Sequence, residues 1–375
     1  MSMSLATDFR KDVVRLGAGD LTACMNCGSC TATCALSEGT AAFPRKTIRY
    51  LQIGAKGQIE GSLEPWLCYY CGDCSVSCPR EANPGETMMA ARRWLTARYD
   101  WTGLSRWMYR SHWVELGALL AVAAVVLALF LIPSGFGFRA LSSHPEALDT
   151  VRLDLFASRT FVHIGDLILA FVLSTLLLSN AARMVYLAMR GRRVPIRAWI
   201  RPVTEFVVHG LTQRRWRDCD NDDSRFNWLR HILLVSGYGT MFVLVVVFLN
   251  PFQVEDTAWH WTSLLGYYAT LVLLAASFTI LSDRIRKRTQ MHAFSHFTDW
   301  LFPILLALTS LTGIVLHLLR LMDLAMPTYV AYVIHLCVAV PMLAVEVPFG
   351  KWAHLLYRPL AMYLEAVRKR AAAEA

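Results

Sequence analysis

Residues 24–34 read CMNCGSCTATC, and the same arrangement returns at residues 68–78 as CYYCGDCSVSC. Each stretch spaces its four cysteines as C-x2-C-x2-C-x3-C, the run by which bacterial proteins hold [4Fe-4S] clusters. Three closely spaced thiolates surround one cluster, while the fourth is carried further round and reaches the neighbouring cluster. The spacing therefore predicts two clusters, the first held by Cys24, Cys27, Cys30 and Cys78, and the second by Cys68, Cys71, Cys74 and Cys34.

Residues beside the cysteines favour clusters over other uses of thiols. Gly28 and Gly72 occupy matching positions, where a tight loop passes close to the inorganic core. Pro79 follows the second run as the pattern expects, whereas Ala35 follows the first. The alternative is a pair of zinc sites, which normally use paired C-x2-C knuckles. Residues 1–23 lack the apolar stretch of about 7–15 residues of a secretory signal, so we expect reduced thiols rather than disulfides.

The segment between the two runs is predicted to be helical. Residues 43–58, FPRKTIRYLQIGAKGQ, repeat their apolar residues at intervals of three and four. Residues 20 to 90 resemble the helical ferredoxin module of the C subunit of heterodisulfide reductases and of succinate dehydrogenase iron–sulfur subunits. That resemblance implies an all-α module with two [4Fe-4S] clusters.

The rest of the chain has the composition of a membrane protein. Of its 375 residues, 55% are apolar, against roughly 45–50% in soluble domains, and the long apolar runs begin near residue 113. Each run approaches the roughly 20 residues that cross a bilayer. We expect a cytoplasmic dicluster domain at 1–110, an all-α transmembrane bundle at 111–360 and a cytoplasmic tail at 361–375. The predicted spans are 114–132, 161–187, 229–249, 264–281, 300–320 and 329–349.

The distribution of positive charge predicts the topology. Residues 183–230 carry eleven Lys and Arg and residues 282–299 carry four, whereas residues 250–263 and 321–328 carry none. By the positive-inside rule both termini are expected in the cytoplasm, with the chain in the cytoplasmic membrane. We therefore attribute the net charge of +9 to membrane topology, and we expect no nucleic-acid partner. Residues 196–217 suit either an amphipathic surface helix or a docking strip for a partner protein.

Histidines in or near the spans are candidate haem ligands, because imidazole is a usual axial ligand of haem iron. The topology places His231 and His354 near the inner face, and His163, His317 and His335 toward the outer face. His335 and His354 are 19 residues apart, about 28 Å along a continuous helix. The two layers have room for two b-type haems, one near each face. The alternative for each is an interfacial polar residue, our interpretation for His112, His144, His209, His260, His292 and His296.

Residues 335–359, HLCVAVPMLAVEVPFGKWAHLLYRP, are similar to the last helix of the membrane cytochrome b of respiratory nitrate reductases and of the E subunit of heterodisulfide reductases. The similarity extends over about residues 160–360. In those families one histidine early in the helix and another after a PFxKxxH turn each bind a haem. The resemblance implies these roles for His335 and His354, with His231 on the partnering helix.

The sequence leaves several candidates for the second ligand of the outer haem. Nitrate reductase members carry another histidine ten residues along the partnering helix, where this chain has Met241. His163, His317 or Met241 can replace it, or the site can be empty. The expected cofactors are therefore two [4Fe-4S] clusters and one or two b haems.

A dicluster module fused to such a cytochrome resembles the C subunit of the quinone-interacting membrane-bound oxidoreductases of sulfate reducers and sulfur oxidisers. That family's role implies a respiratory protein moving electrons between quinone or menaquinone and cytoplasmic flavin and iron–sulfur subunits, which are linked to adenylylsulfate reductase. Asp166, Tyr267 and Arg159 are candidates for the quinone pocket. The alternatives are a heterodisulfide reductase-type anchor using a phenazine carrier and a zinc-binding membrane scaffold or sensor. The first alternative keeps ferredoxin and cytochrome on separate chains.

Overall fold

The computed structural model describes residues 7–37, 42–213, 222–248, 258–288 and 290–374. Over those ranges every regular element is a helix and no strand occurs. The predicted all-α fold class is therefore confirmed.

The N-terminal module consists of short helices wrapped around one longer helix. Its apolar core is formed by side chains such as Val13, Ile48, Leu51, Ile59 and Leu95, all buried. The segment predicted as helical between the cysteine runs forms two helices, separated by a turn at Gly54 that has a positive φ of 73°. The helices are Thr7–Arg15, Ser29–Thr33, Arg45–Gln52, Lys56–Glu60, Glu64–Leu67, Asp73–Val76, Pro84–Tyr99 and Leu104–Arg110, with a 3-10 turn at Gly19–Thr22.

The helix Pro84–Tyr99 is the centre of the module. It begins with a proline, whose missing N–H costs nothing in the first turn of a helix. Nearly all of its side chains are buried, including the charged residues Glu86, Arg92 and Arg93. Because buried charges are tolerated only when they are paired or hydrogen-bonded, this helix must find polar partners on its neighbours.

Six helices are long and apolar enough to cross a membrane. The third packs on the fourth, the fourth on the fifth, the fifth on the sixth, and the sixth on the first. The second contacts the helix Pro84–Tyr99 and the C-terminal helix His354–Ala373. In chain order the six membrane helices are His112–Leu131, Arg159–Met189, Asp222–Phe242 continued by a π-helical turn at Val243–Val247, Ser263–Ile285, Phe297–Leu321 and Ala325–Glu346.

Shorter helices connect these spans. Residue 249, the last of the predicted third span, and residues 250–257 of the following loop lie outside the described residues. Within residues 196–217, two helices pack on the C-terminal helix and leave apolar side chains exposed; residues 214–217 lie outside the description. The connecting helices are Gly137–Ser143, Glu146–Asp149, Leu153–Phe156, Ile196–Ile200, Val203–Thr212 and Gln290–Ala293.

The sixth membrane helix ends earlier than the sequence predicts. It stops at Glu346, and a short 3-10 turn, Lys351–Ala353, leads into the helix His354–Ala373. Pro348 disfavours a continued helix at this point, and Gly350 leaves space that the Glu346 carboxylate fills. The rise of about 28 Å between His335 and His354 assumed a continuous helix, and the structure interrupts that helix between Glu346 and His354.

The module and the membrane bundle share one apolar core. The ring of Tyr357, on the C-terminal helix, meets those of Trp66 and Tyr99 edge-on, with centroids 5.2 and 5.5 Å apart. All three side chains are fully buried. This packing holds the N-terminal module against the helix that begins at His354.

Candidate metal centres

The two cysteine runs fold into nearly identical loops. Gly28 has a φ of 97° and Gly72 a φ of 93°, and each precedes a short helix. Asn26 and Tyr70, which hold the same place in their runs, also have positive φ values of 58° and 60°. The short helices Ser29–Thr33 and Asp73–Val76 pack against each other. The predicted need for glycine at both loops thus has a conformational reason, since the left-handed region carries no penalty for glycine.

Cysteines of the two runs lie close to one another in the fold. The Cys30 thiol has Cys24, Cys27 and Cys78 as its electrostatic neighbours, and these four line one small cavity. The second set joins residues from both runs in the same way. Around Cys74 the neighbouring thiols are Cys68, Cys71, Cys34 and, weakest, Cys30.

The environment of the thiols suits a positively charged inorganic centre. Burial raises the pKa of Cys34 to about 11, and burial also raises the pKa of Cys30, Cys68 and Cys74. Buried neutral thiols lose their protons when a metal centre supplies the compensating charge. Backbone N–H groups of Tyr70 and Ala82 donate to the sulfurs of Cys68 and Cys78, each at 3.4 Å. Such N–H···S bonds adjust the reduction potential of a cluster.

The structure places the rings of His231 and His354 next to each other, in an edge-on arrangement. Their ring centroids lie 5.9 Å apart, with an interplanar angle of 70°. Two imidazoles on opposite sides of one metal ion have centroids about 6 Å apart when the metal–nitrogen bonds are about 2 Å long. The Nδ1 atom of His354 is hydrogen-bonded to the carbonyl oxygen of Lys351, which leaves Nε2 for a metal. Metal-binding histidines are usually held in this way.

The electrostatics keep His354 in the form that binds metals. Burial, reinforced by His231, lowers the pKa of His354 well below its ordinary value. A neutral imidazole has a lone pair to offer iron, whereas the protonated ring has none.

One cavity contains both histidines and extends to the N-terminal module. Its wall carries the guanidinium groups of Arg230, Arg284 and Arg358 together with Trp352 and His292, which the sequence suggested as an interfacial residue. Within the described residues, Arg284 Nε and Trp352 Nε1 are buried with no hydrogen-bond partner. Buried donors of this kind need an acceptor. A planar group with carboxylates, such as haem, fits both the cations and these donors.

The outer histidines are not brought into a comparable pair. His335 Nδ1 lies 3.0 Å from Thr312 Oγ1, and a Cβ on Gly313 would lie 3.2 Å from His335 Cε1. The Nε2 atom of His317 is 2.7 Å from the hydroxyl of Tyr267. His163 lies within electrostatic range of Asp166.

Met241 does not resolve the question of a second outer ligand. It packs at the edge of a cluster that contains Leu234, Leu273 and Phe302. Among the described contacts, none joins the ring of His335 to His163, His317 or Met241. The second ligand of an outer haem therefore stays a prediction.

Several other histidines have structural contacts, as the interfacial interpretation expects. His112 contacts Trp113 and Phe297, His144 contacts Glu146, and His296 caps the fifth membrane helix.

Sequence reasoning missed part of the polar interior. It named Asp166 as a candidate for the quinone pocket, but Glu115 and Asp299, each in the first turn of its helix, are buried carboxylates that it did not name. Asp299 bonds to Arg93 and Lys351, each at 2.7 Å. Two features of the sequence could have indicated this contact: an acidic residue at the start of an apolar helix, Asp299, and the lysine of the PFGK stretch, Lys351.

Comparison with known proteins decides the nature of the N-terminal part. Residues 20–82 match the family described as 4Fe-4S dicluster domain. The N-terminal part is a 4Fe-4S dicluster domain. Two [4Fe-4S] clusters and a role in electron transfer, both predicted from the cysteine runs, are thereby supported.

The curated relatives of the dicluster domain are iron–sulfur proteins of heterodisulfide reductases. The chain is 35% identical over 88 residues to a protein of Archaeoglobus profundus named as similar to the heterodisulfide reductase C subunit, covering 23% of this chain and 47% of the relative. It is 36% identical over 70 residues to the iron-sulfur C subunit of the CoB–CoM heterodisulfide reductase of Methanopyrus kandleri, covering 19% and 36% respectively.

A third relative shows the same extent of similarity. The chain is 29% identical over 85 residues to the C subunit of the H2:CoB-CoM heterodisulfide, ferredoxin reductase of Methanothermobacter marburgensis, covering 23% of this chain and 46% of the relative. The chain thus spans about half or less of the length of these relatives, and the matched stretches of 70 to 88 residues are no longer than the N-terminal domain. No solved structure matches the chain.

Proposed function

We propose that this chain is the membrane subunit of a respiratory quinone-linked oxidoreductase complex. It passes electrons between quinone or menaquinone in the bilayer and cytoplasmic flavin and iron–sulfur subunits, through two [4Fe-4S] clusters and one or two b haems. The observation that supports the proposal is the pair His231 and His354, whose ring centroids lie 5.9 Å apart in a cavity that extends to the dicluster domain. The division at residues 110 and 360, with both termini in the cytoplasm, belongs to the same proposal.

The inner haem would be held by residues from three parts of the chain. His231 and His354 would hold its iron, and Arg230, Arg284 and Arg358, which line the same cavity, would offer positive charge to its carboxylates. When bound, haem supplies one-electron chemistry, while the protein sets its spacing, potential and access. His335, with Thr312 at 3.0 Å, is the ligand of an outer haem.

Arg358 connects the haem pocket with the second cluster. It follows His354 by one helical turn, and its guanidinium carbon lies 5.6 Å from the centroid of Tyr69, between Cys68 and Cys71. The cluster bound by Cys68, Cys71, Cys74 and Cys34 is therefore the natural first acceptor or donor next to the inner haem. The cluster bound by Cys24, Cys27, Cys30 and Cys78 then faces the soluble partner.

The partner side of the dicluster domain has suitable surface. Cys27 and Cys71 are exposed, and Met25 and Val76 beside them are apolar side chains that are more than half exposed. Exposed apolar residues around a redox centre are typical of a docking face. Flavin and iron–sulfur subunits, and through them adenylylsulfate reductase, are the proposed partners.

Quinol oxidation releases two protons and quinone reduction takes up two, so either reaction would also require groups that handle protons in the outer half of the bundle. The hydroxyl of Tyr267 and the ring of His317 form a hydrogen-bonded pair at 2.7 Å, and Asp166 lies on the second membrane helix. These groups can hold a proton at the Tyr267 oxygen, at His317 Nε2 or on the Asp166 carboxylate. We assign them to the quinone pocket; Arg159 is a further candidate at the start of that helix.

A heterodisulfide reductase-type anchor using a phenazine carrier is the second candidate. The observation that favours it is the naming of the relatives after heterodisulfide reductases. Their matched stretches are no longer than the dicluster domain, so this observation concerns the clusters and leaves the membrane carrier open. A zinc-binding scaffold is the remaining alternative, and it predicts a colourless protein.

The deciding experiment is the optical spectrum and metal content of the full chain purified in detergent from its native host. Dithionite-reduced b-type bands with a broad iron–sulfur shoulder, and haem reduction by a menaquinol analogue, are the expected result. Stoichiometric zinc without iron or porphyrin would reject the proposal. Haem reduced by a dihydrophenazine but not by quinols would establish the second candidate instead.

A further inference from the structure

Asp299 is a buried carboxylate at the start of the fifth membrane helix, where two cations from different parts of the chain meet it. Its Oδ2 accepts a hydrogen bond from Arg93 Nη2 and its Oδ1 one from Lys351 Nζ, both at 2.7 Å. The side chains of Arg93 and Asp299 are only 5% and 6% exposed. Arg93 belongs to the central helix of the dicluster domain, and Lys351 belongs to the turn before His354.

The contacts of Arg93 continue to the second cysteine run. Its Nη1 donates to Glu86 Oε1 at 2.7 Å, and the hydroxyl of Tyr70 donates to Glu86 Oε2 at 2.8 Å. The backbone N–H of Tyr70 donates in turn to the sulfur of Cys68 at 3.4 Å. Burial alone would lower the pKa of Arg93, but Asp299 and Glu86 raise it, so the guanidinium stays charged.

The contacts of Lys351 continue to the histidine pair. Its backbone carbonyl oxygen is hydrogen-bonded to Nδ1 of His354, and its backbone N–H donates to Glu346 Oε2 at 2.8 Å. Asp299 and Lys351 also line the cavity that contains His231 and His354. A continuous set of hydrogen bonds thus runs from a cysteine sulfur to a haem-ligand candidate.

A buried network of charged, hydrogen-bonded groups specifies geometry more than it adds stability. Within this network the carboxylates of Glu86 and Asp299 face the cations of Arg93 and Lys351. The loss of one member leaves an uncompensated charge near the histidine pair. At low local dielectric such a charge acts strongly over short distances.

We propose that Asp299 is a positioning residue for electron transfer, holding Arg93 of the dicluster domain and Lys351 of the haem-side turn on one carboxylate. It thereby sets the spacing between the second cluster and His354, and it balances the charge at the inner iron. This inference rests on the proposed inner haem. It adds a residue that is a ligand of neither cofactor.

The test is a redox titration of the inner haem in single and double variants. Asp299→Asn removes a negative charge and is expected to raise the haem midpoint potential, because the oxidised iron loses a stabilising charge. Lys351→Gln removes a positive charge and is expected to lower it. The double variant Asp299→Asn/Lys351→Gln is expected to return toward the wild-type potential. A role confined to folding would not give opposite shifts that cancel.

A kinetic readout tests the spacing separately from the charge. Asp299→Glu keeps the charge but lengthens the side chain, so it is expected to leave the potential near wild type and to slow oxidation of reduced haem by the clusters. Asp12→Asn is the matched control, because Asp12 also bonds to two arginines, Arg106 and Arg110, away from the cavity. It is expected to change neither readout.

The outcomes separate this inference from the function on which it rests. Wild-type protein without haem overturns both. Haem that is present in all variants, with unchanged potentials or with shifts of the same sign in both single variants, overturns the role of Asp299 alone. If Asp299→Asn does not fold, the other two variants still decide. A lower haem potential in Lys351→Gln and slower haem oxidation in Asp299→Glu support the role of Asp299, and wild-type values in both reject it.

Discussion

The rings of His231 and His354 lie with their centroids 5.9 Å apart, although the first belongs to the third membrane helix and the second begins the C-terminal helix. The chain achieves this by ending the sixth membrane helix at Glu346 and restarting a helix at His354. The same turn presents Lys351 to Asp299 and its carbonyl to the His354 ring. One local break in the helix therefore forms both the candidate haem site and its connection to the dicluster domain.

Replacing either inner histidine should remove one haem and leave the clusters intact. His231→Ala and His354→Ala each delete an axial ligand, so the reduced b-type absorbance per polypeptide should fall, while cluster iron should not. Haem extraction and iron analysis measure the two quantities. His144→Ala is the control, since the His144 ring is hydrogen-bonded to Glu146 and does not line the cavity of His231 and His354. Full haem content in both inner variants would refute this ligand pair.

The crossed assignment of the cysteines predicts which substitutions behave alike. Cys78→Ala should remove the same cluster as Cys24→Ala, whereas Cys34→Ala should remove the same cluster as Cys74→Ala. The reason is that the final cysteine of each run lies among the thiols of the other run. Electron paramagnetic resonance of the reduced variants distinguishes the two clusters. Matching spectra for Cys78→Ala and Cys74→Ala would contradict the crossed assignment.

Gly313 should matter for the outer haem because the ring of His335 packs against it. An added Cβ would lie 3.2 Å from His335 Cε1, so Gly313→Ala must move the ring. We expect lower occupancy or an altered spectrum of the outer haem, with the inner haem unchanged. Gly239→Ala is the matched control in a membrane helix, because nothing lies within 4 Å of its added Cβ. Equal spectra for the two variants would remove His335 from the outer site.

After removal of the clusters, the stability of the dicluster domain should fall as the pH becomes alkaline. The pKa of Cys34 is raised from 9.0 to about 11 by burial, so the folded metal-free domain holds this proton more tightly than the unfolded chain. Its contribution to stability is complete below pH 9 and is lost as the pH rises through about 11.

Thermal unfolding of chelator-treated and cluster-loaded protein at several pH values measures this dependence. The loaded protein should not show it between those pH values, because its thiols have already lost their protons to iron. A metal-free domain whose melting temperature is constant up to pH 11 would contradict the prediction.

Local features of the chain were predictable because each depends on a few neighbouring residues. The spacing within 24–34 and 68–78 reflects how consecutive thiolates reach one inorganic centre, and the long apolar runs reflect the thickness of a bilayer. The helical character of residues 43–58 followed from its periodicity, although the turn at Gly54 did not. Gly28 and Gly72 were singled out by position, and the structure gives the reason in their positive φ values.

The sequence by itself determined the two cysteine runs, the six apolar helices and the histidines that qualify as ligands, since these are properties of composition and short-range spacing. Tertiary structure alone decided which of those histidines face each other, where the sixth helix ends, and that Arg93, Asp299 and Lys351 meet. The physical reason is separation along the chain. Contacts between residues so far apart in the chain depend on how whole helices pack. A buried charge pairs with a specific partner only once that packing has excluded water.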